Sequence, residues 1–142
     1  MNGELPNAPL AELTGLRATG VGDGEAERTM PCSSWLSTAL GSVQGGFIAL
    51  LAEVTLASAA FSTVEPGTAL APLDLKVNFL RPVHPDGREL IGRAEIVHRG
   101  RSLAVSSCRV ENADGKPVAL ATGSSMYLPG RPANLLGVEL RP

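Results

Sequence analysis

Gly45, Gly46 and Glu53 stand in the segment QGGFIALLAEVTLASAAF, which runs from Gln44 to Phe61. Between Arg28 and Glu65, Glu53 is the sole charged residue, so one carboxylate is set in the most apolar part of the chain. A carboxylate there can act as a nucleophile or as a general base, provided that hydrogen bonds offset its desolvation. Two glycines at a helix start present N–H groups without intrahelical partners at the positive end of the helix dipole, and they let a ligand approach closely. Such a start suits a developing oxyanion, whose stabilisation is worth roughly 100- to 1000-fold in rate per donor. Gln44 adds an amide that donates and accepts but does not titrate. Glutamate is also a good helix former, and on an exposed helix edge it needs no function, so residue type alone does not make Glu53 catalytic.

These residues need a helix to position them. Leu50, Leu51, Ala52, Ala57, Ala59 and Ala60 favour helix over Gln44 to Phe61, and the segment is longer than a usual strand. Its apolar residues cover nearly the whole circumference, which predicts a helix wrapped on all sides. Eight residues separate Gly45 from Glu53, or roughly 12 Å along the axis. The wrapping must come from the residues C-terminal to Phe61. Turn signals HPDGRE at 84–89, HRGRS at 98–102 and NADGKP at 112–117 cut the second half into strands near 69–83, 89–99, 102–112 and 118–128. Their short connections predict an antiparallel meander, with Leu75, Val77 and Phe79 on one face. Leu16 to Met30 supplies a first strand. One long helix in a curved antiparallel sheet is an α+β architecture, the hotdog fold.

The chain's bounds narrow the function. At 142 residues and 44% hydrophobic content it has room for one core, so residues 1–142 read as a single domain with loosely held ends at 1–10 and 129–142. A net charge of -2 gives no global reason for nucleic acid or an anionic membrane surface as partner. The apolar run from Phe47 to Phe61 is shorter than the roughly 20 residues that span a bilayer, and it carries Glu53 at its middle. Cys32 and Cys108 lack metal spacing and form no disulfide framework, so no metal site is expected. The N-terminus lacks the basic and apolar regions of a secretory signal, and the cytoplasm is the expected location.

Four pieces, in order, carry a family resemblance: QGGFIALLAEVTLASAAFS, VNFLRPV, HRGRSLAVSSCRV and ADGKPVALATGSS. Over about Leu40 to Leu128 the chain resembles the hotdog acyl-CoA thioesterases, in the branch of phenylacetate-pathway thioesterases and one type of 4-hydroxybenzoyl-CoA thioesterase. The resemblance implies hydrolysis of an aryl or medium-chain acyl-CoA to free acid and coenzyme A, with no cofactor beyond the coenzyme A of the substrate. It implies that the Gly45 N–H polarises the thioester carbonyl, with Gly46 and Gln44 beside it, and that Glu53 is the nucleophile or general base. Glu53 then serves the neighbouring subunit, so a homodimer shares its active sites; a homotetramer is the further expectation. Thr38 and Asn78 join the substrate-binding positions, and Arg81, Arg101 and Ser102 contact the nucleotide end of coenzyme A, where guanidinium forks suit phosphate.

This sequence departs from the family at three points. Gln44 replaces the histidine of an HGG motif, Thr38 stands where Asn or Gln is usual, and Ala57 follows the carboxylate by one turn where Thr or Ser sometimes stands, with Ser58 adjacent. Arg88, Arg93 and Arg109 are explained as well by ordinary decoration of a sheet, and His84 and His98 read as turn residues. Trp35 and Phe61 are candidates to line the acyl pocket. A non-catalytic acyl-CoA-binding hotdog is the alternative. A hotdog hydratase would need an Asp and His together in one segment, and Glu53 has neither nearby.

Overall fold

In the computed structural model residues 8–130 are described. In chain order they form helix α1 (Pro9–Thr14), strands β1 (Arg17–Gly22) and β2 (Glu25–Pro31), a short 3-10 turn (Ser34–Leu36), helix α2 (Gly45–Phe61), and strands β3 (Thr68–Phe79), β4 (Glu89–Arg99), β5 (Leu103–Glu111) and β6 (Pro117–Pro129). Of the ends expected to be loosely held, residues 1–7 and 131–142 lie outside the described residues; Pro9 opens α1 and Pro129 closes β6.

All six strands form one antiparallel sheet in the order β1-β2-β4-β5-β6-β3. Helix α2 contacts every one of them. Six strands laid flat would be roughly 24 Å across, about twice a helix diameter, so the sheet must curl around α2. This is the hotdog arrangement. The concave face is lined by small residues, Gly92 and Ala94 on β4, Ala104, Ser106 and Cys108 on β5, and Ala119 and Ala121 on β6, all of them buried. Small side chains let the helix settle close to the strands: a methyl at Gly92 would stand 2.8 Å from Thr55 Oγ1 and 3.3 Å from Leu51 Cγ.

Two expectations about the strands are corrected. The stretch Leu16 to Met30 is a hairpin of two strands, because Asp23 and Gly24 both take positive φ (50° and 83°), the conformation of a tight two-residue turn. The meander holds only for β4, β5 and β6, whose HRGRS and NADGKP turns join antiparallel neighbours. In the first, the Gly100 N–H donates to the Leu103 carbonyl; in the second, Asn112 Oδ1 accepts from the Asp114 and Lys116 N–H groups. Strand β3 instead pairs with β6 at the far edge and ends at Phe79, four residues earlier than expected. Residues 80–88 then cross the sheet's end to reach β4. The backbone hydrogen bonds of this crossover go to Val118, Val43 and Cys32, which fasten it beside the start of α2.

The helix is not wrapped on all sides by its own chain. Ile48, Leu51, Ala52, Thr55, Leu56, Ala59 and Ala60 are buried, a stripe at helical spacing that faces the sheet. Gly46, Leu50, Glu53 and Ala57 form the opposite stripe and remain partly or fully open.

Candidate functional site

The start of α2 is built by a folded-back loop. The Gln44 N–H donates to the Leu36 carbonyl at 2.7 Å, Ser37 bridges Val43, and the Val43 N–H donates to Val83 in the crossover at 2.8 Å. Gln44 takes the N-cap position but its side chain makes no capping hydrogen bond and is exposed. Among the described residues, the N–H groups of Gly45 and Gly46 find no acceptor. Two donors are therefore left pointing out of a positive helix end. Beside them lies a cleft of about 370 Å³ lined by Val43, Gly45, Ile48, Phe79, Leu80, Arg81, Pro82 and Val83. Arg81 supplies the cleft's one charged group, and it has no hydrogen bond or ion pair among the described residues.

Glu53 is half-buried and has neither a hydrogen bond nor a cationic partner among the described residues. Sharing one helix keeps it roughly 12 Å from Gly45, so a single chain does not bring the carboxylate to the helix start. Its stripe is the one that the sheet leaves uncovered. Strand β3 is likewise incomplete, since it is an edge strand of twelve residues that carries Leu73, Leu75 and Phe79 exposed. Long apolar edges invite pairing with another strand.

The other expected residues are dispersed. Thr38 uses its hydroxyl to accept from the Leu40 N–H at 3.1 Å, so it stiffens the loop that leads to the helix start. Asn78 alternates with Val77 and Phe79 and pairs with Leu120, which puts it on the sheet face away from α2; it lines a groove of about 830 Å³ there with Lys76 and Thr122. Arg101 and Ser102 sit in the β4–β5 turn, exposed, at the sheet end near the C-terminus of α2. Arg81 sits at the other end, and β4 alone, with eleven residues, spans roughly 35 Å. Within one chain the three nucleotide-binding candidates are not brought together.

Arg88, Arg93 and Arg109 are engaged by carboxylates. Arg88 bridges Asp86 and Asp114, Arg93 bridges Glu27 and Glu111, and Arg109 reaches Glu111. The Arg88 backbone and side-chain hydrogen bonds hold Asp86 below the usual carboxylate range, and the Arg88 side chain does the same to Asp114. His84 and His98 are exposed at turns or strand ends. Ser58 does not replace a hydroxyl at Ala57, because it points a third of a turn away and is bonded to Arg28 Nε at 2.8 Å. Trp35 is 91% exposed and Phe61 43% exposed, so neither lines a pocket of the single chain.

Two residues escape sequence reasoning. Arg28 shares the face of the buried Ala26 and Met30, so it points inward beneath α2, and burial lowers its pKa. As the last charge before the apolar segment it carries a signal of sorts. Phe79 meets the helix start edge-on: a methyl at Gly45 would stand 3.1 Å from Phe79 Cζ. Nothing in the VNFLRPV string reveals that contact, which depends on the path of the crossover.

A model of the thioesterase superfamily matches residues 40–119, more than half of the chain and a span that holds the helix start, Glu53 and the crossover. The chain belongs to the thioesterase superfamily. Among solved structures it is similar to a conserved protein of Pseudomonas aeruginosa, at 32% identity over 85% of this chain and 94% of that one, with a TM-score of 0.78. A thioesterase family protein from Silicibacter pomeroyi is 30% identical over 87% and 91% of the two chains, TM-score 0.80. The PaaI protein of the E. coli phenylacetic acid degradation operon is 28% identical over 88% of each chain, TM-score 0.80. No functionally curated sequence matches. Among this thioesterase superfamily member's described residues, no helix is long and apolar enough to cross a membrane.

Proposed function

We propose that this chain hydrolyses acyl-CoA thioesters to a free acid and coenzyme A, in a homodimer whose two sites each take Gly45 and Gly46 from one subunit and Glu53 from the other. The observation that carries this reading is a matched pair of deficits on one helix. Unsatisfied N–H donors mark its start, and an unpartnered carboxylate lies two turns on, along the stripe that the sheet leaves open. A two-fold contact through the β3 edges, with the open stripes facing, would answer both at once.

In that dimer the thioester oxygen accepts from the Gly45 N–H as negative charge develops on it, with Gly46 and the Gln44 amide adjacent. Glu53 either attacks the carbonyl carbon, giving a mixed anhydride that water cleaves, or takes a proton from the water that attacks. In both routes coenzyme A leaves as the thiolate and is protonated from solvent. Arg81, and Arg101 with Ser102 from another subunit, are the groups suited to coenzyme A phosphates. Aryl-acetyl, benzoyl and medium-chain acyl groups are the substrate classes, the phenylacetic acid operon of the PaaI relative favouring the first. The cytoplasm is the location in keeping with such a substrate.

The alternative is an acyl-CoA-binding hotdog without turnover, favoured by the missing titratable group at Gln44. Thiol release from a panel of acyl-CoA thioesters decides between them. Glu53→Gln should lower the rate by roughly 100-fold or more while coenzyme A affinity is retained. Equal rates for wild type and Glu53→Gln would sink the hydrolase assignment, and wild-type binding without thiol release would establish the alternative.

A further inference from the structure

The crossover from β3 to β4 places one aromatic side chain where the proposed chemistry begins. Phe79 is the last residue of β3 and shares the inner-face parity of Leu75 and Val77, yet its ring is 55% exposed. It leans on the start of α2 so closely that a methyl at Gly45 would lie 3.1 Å from Cζ, 3.3 Å from Cε1 and 3.6 Å from Cε2. Gly45 has negative φ, so backbone conformation does not require glycine there. The ring does.

The same ring is one wall of the 370 Å³ cleft, whose other lining residues are apolar except Arg81. The cleft thus has the Gly45 N–H region and a free guanidinium bordering one apolar trough. A ligand that fits must carry a carbonyl, then a slender mainly uncharged chain, then an anionic group. We infer that Phe79 is a positioning residue for the thiol-side arm of the coenzyme A thioester: its ring flanks the arm between the reacting carbonyl and Arg81, and by packing on Gly45 it fixes how near the carbonyl comes to the N–H. This rests on the proposed hydrolase reading for the role of the carbonyl, but the arm contact itself is independent of turnover.

The part of the substrate that feels Phe79 distinguishes an arm contact from an acyl contact. If Phe79 touches the arm, Phe79→Ala weakens free coenzyme A and raises KM by the same factor for every acyl chain, about 3- to 10-fold for the apolar contact removed. Phe79→Leu, which keeps an apolar wall of somewhat smaller volume, restores most of it. The pairing with Gly45 gives a second readout: Gly45→Ala lowers kcat, and adding Phe79→Ala recovers part of that loss by making room for the new methyl. Titration calorimetry with coenzyme A, thiol-release kinetics on an acyl series, and circular dichroism to verify folding complete the experiment. An effect that varies with acyl length while coenzyme A affinity stays unchanged would place Phe79 on the acyl side and overturn the inference, as would wild-type coenzyme A affinity in Phe79→Ala or no coenzyme A binding by wild type. Should wild type bind coenzyme A but release no thiol, the hydrolase reading falls and calorimetry alone still decides the arm contact.

Discussion

Replacing Gly92 by alanine tests the close approach of sheet and helix that sets the height of Glu53 above the strands. The new Cβ would lie 2.8 Å from Thr55 Oγ1 and 3.3 Å from Leu51 Cγ. Ordinary contact begins near 3.5 Å, so something must move by roughly 0.7 Å. Neither neighbour has room: Thr55 and Leu51 are fully buried, and the Thr55 hydroxyl donates to the Leu51 carbonyl at 2.6 Å, so rotating it away forfeits that bond. Overpacking of this kind costs about 1 to 3 kcal/mol, against which loss of glycine's freedom in the unfolded chain returns about 0.5 to 1 kcal/mol. The expected net loss is about 1 to 2 kcal/mol, or about 3 to 6 °C in melting temperature for a chain of this size. Urea and thermal denaturation at one fixed protein concentration, which matters for the proposed dimer, measure it. In a Thr55→Ala background the obstructing oxygen is gone, and Gly92→Ala should then be close to neutral, a coupling of at least about 1 kcal/mol. An unchanged melting temperature for Gly92→Ala, or the same loss in both backgrounds, would refute the reasoning.

Burial pushes the Cys108 thiol up to about 12 from an ordinary 9.0, and burial with Asp86 and Glu89 nearby pushes Cys32 up to about 11. A folded pKa raised above the unfolded one means that stability is intact below pH 9 and falls as pH climbs toward 11 to 12, by up to about 1.4 kcal/mol per unit for each thiol. Cys108→Ala should flatten the loss of urea resistance between pH 8 and pH 10, and identical losses in variant and wild type would contradict the assignment. Leu75→Lys, on the exposed inner face of the β3 edge, should leave the chain monomeric in sedimentation and abolish thiol release together, because the proposed dimer pairs through this edge and draws Glu53 from the second subunit; a monomer that still turns over would count against shared sites.

Local chemistry makes much of this protein legible in its sequence. The span of α2 follows from leucine and alanine content, and its start is legible to within one residue because glycines open it. The β4, β5 and β6 strands are delimited by Gly-containing turns whose geometry is settled within four to six residues. The β1–β2 hairpin carries the same kind of signal, Asp23-Gly24, but the weakly apolar strands beside it show little alternation, so the stretch reads as one strand. The lone carboxylate is plain, since its isolation is a property of sequence neighbours.

The path of β3 is decided by the tertiary structure alone. Pairing with β6 rather than β4 depends on curling the whole sheet around α2, a non-local term that no turn residue encodes. That path produces the contact of Phe79 with Gly45, the cleft with Arg81, the separation of Arg81 from Arg101, and the turning of Asn78 to the outer face. Sequence determined which groups could do chemistry, because reactivity belongs to residue types; packing decided which of them meet, because distance in space is set by the sum of many contacts far apart along the chain.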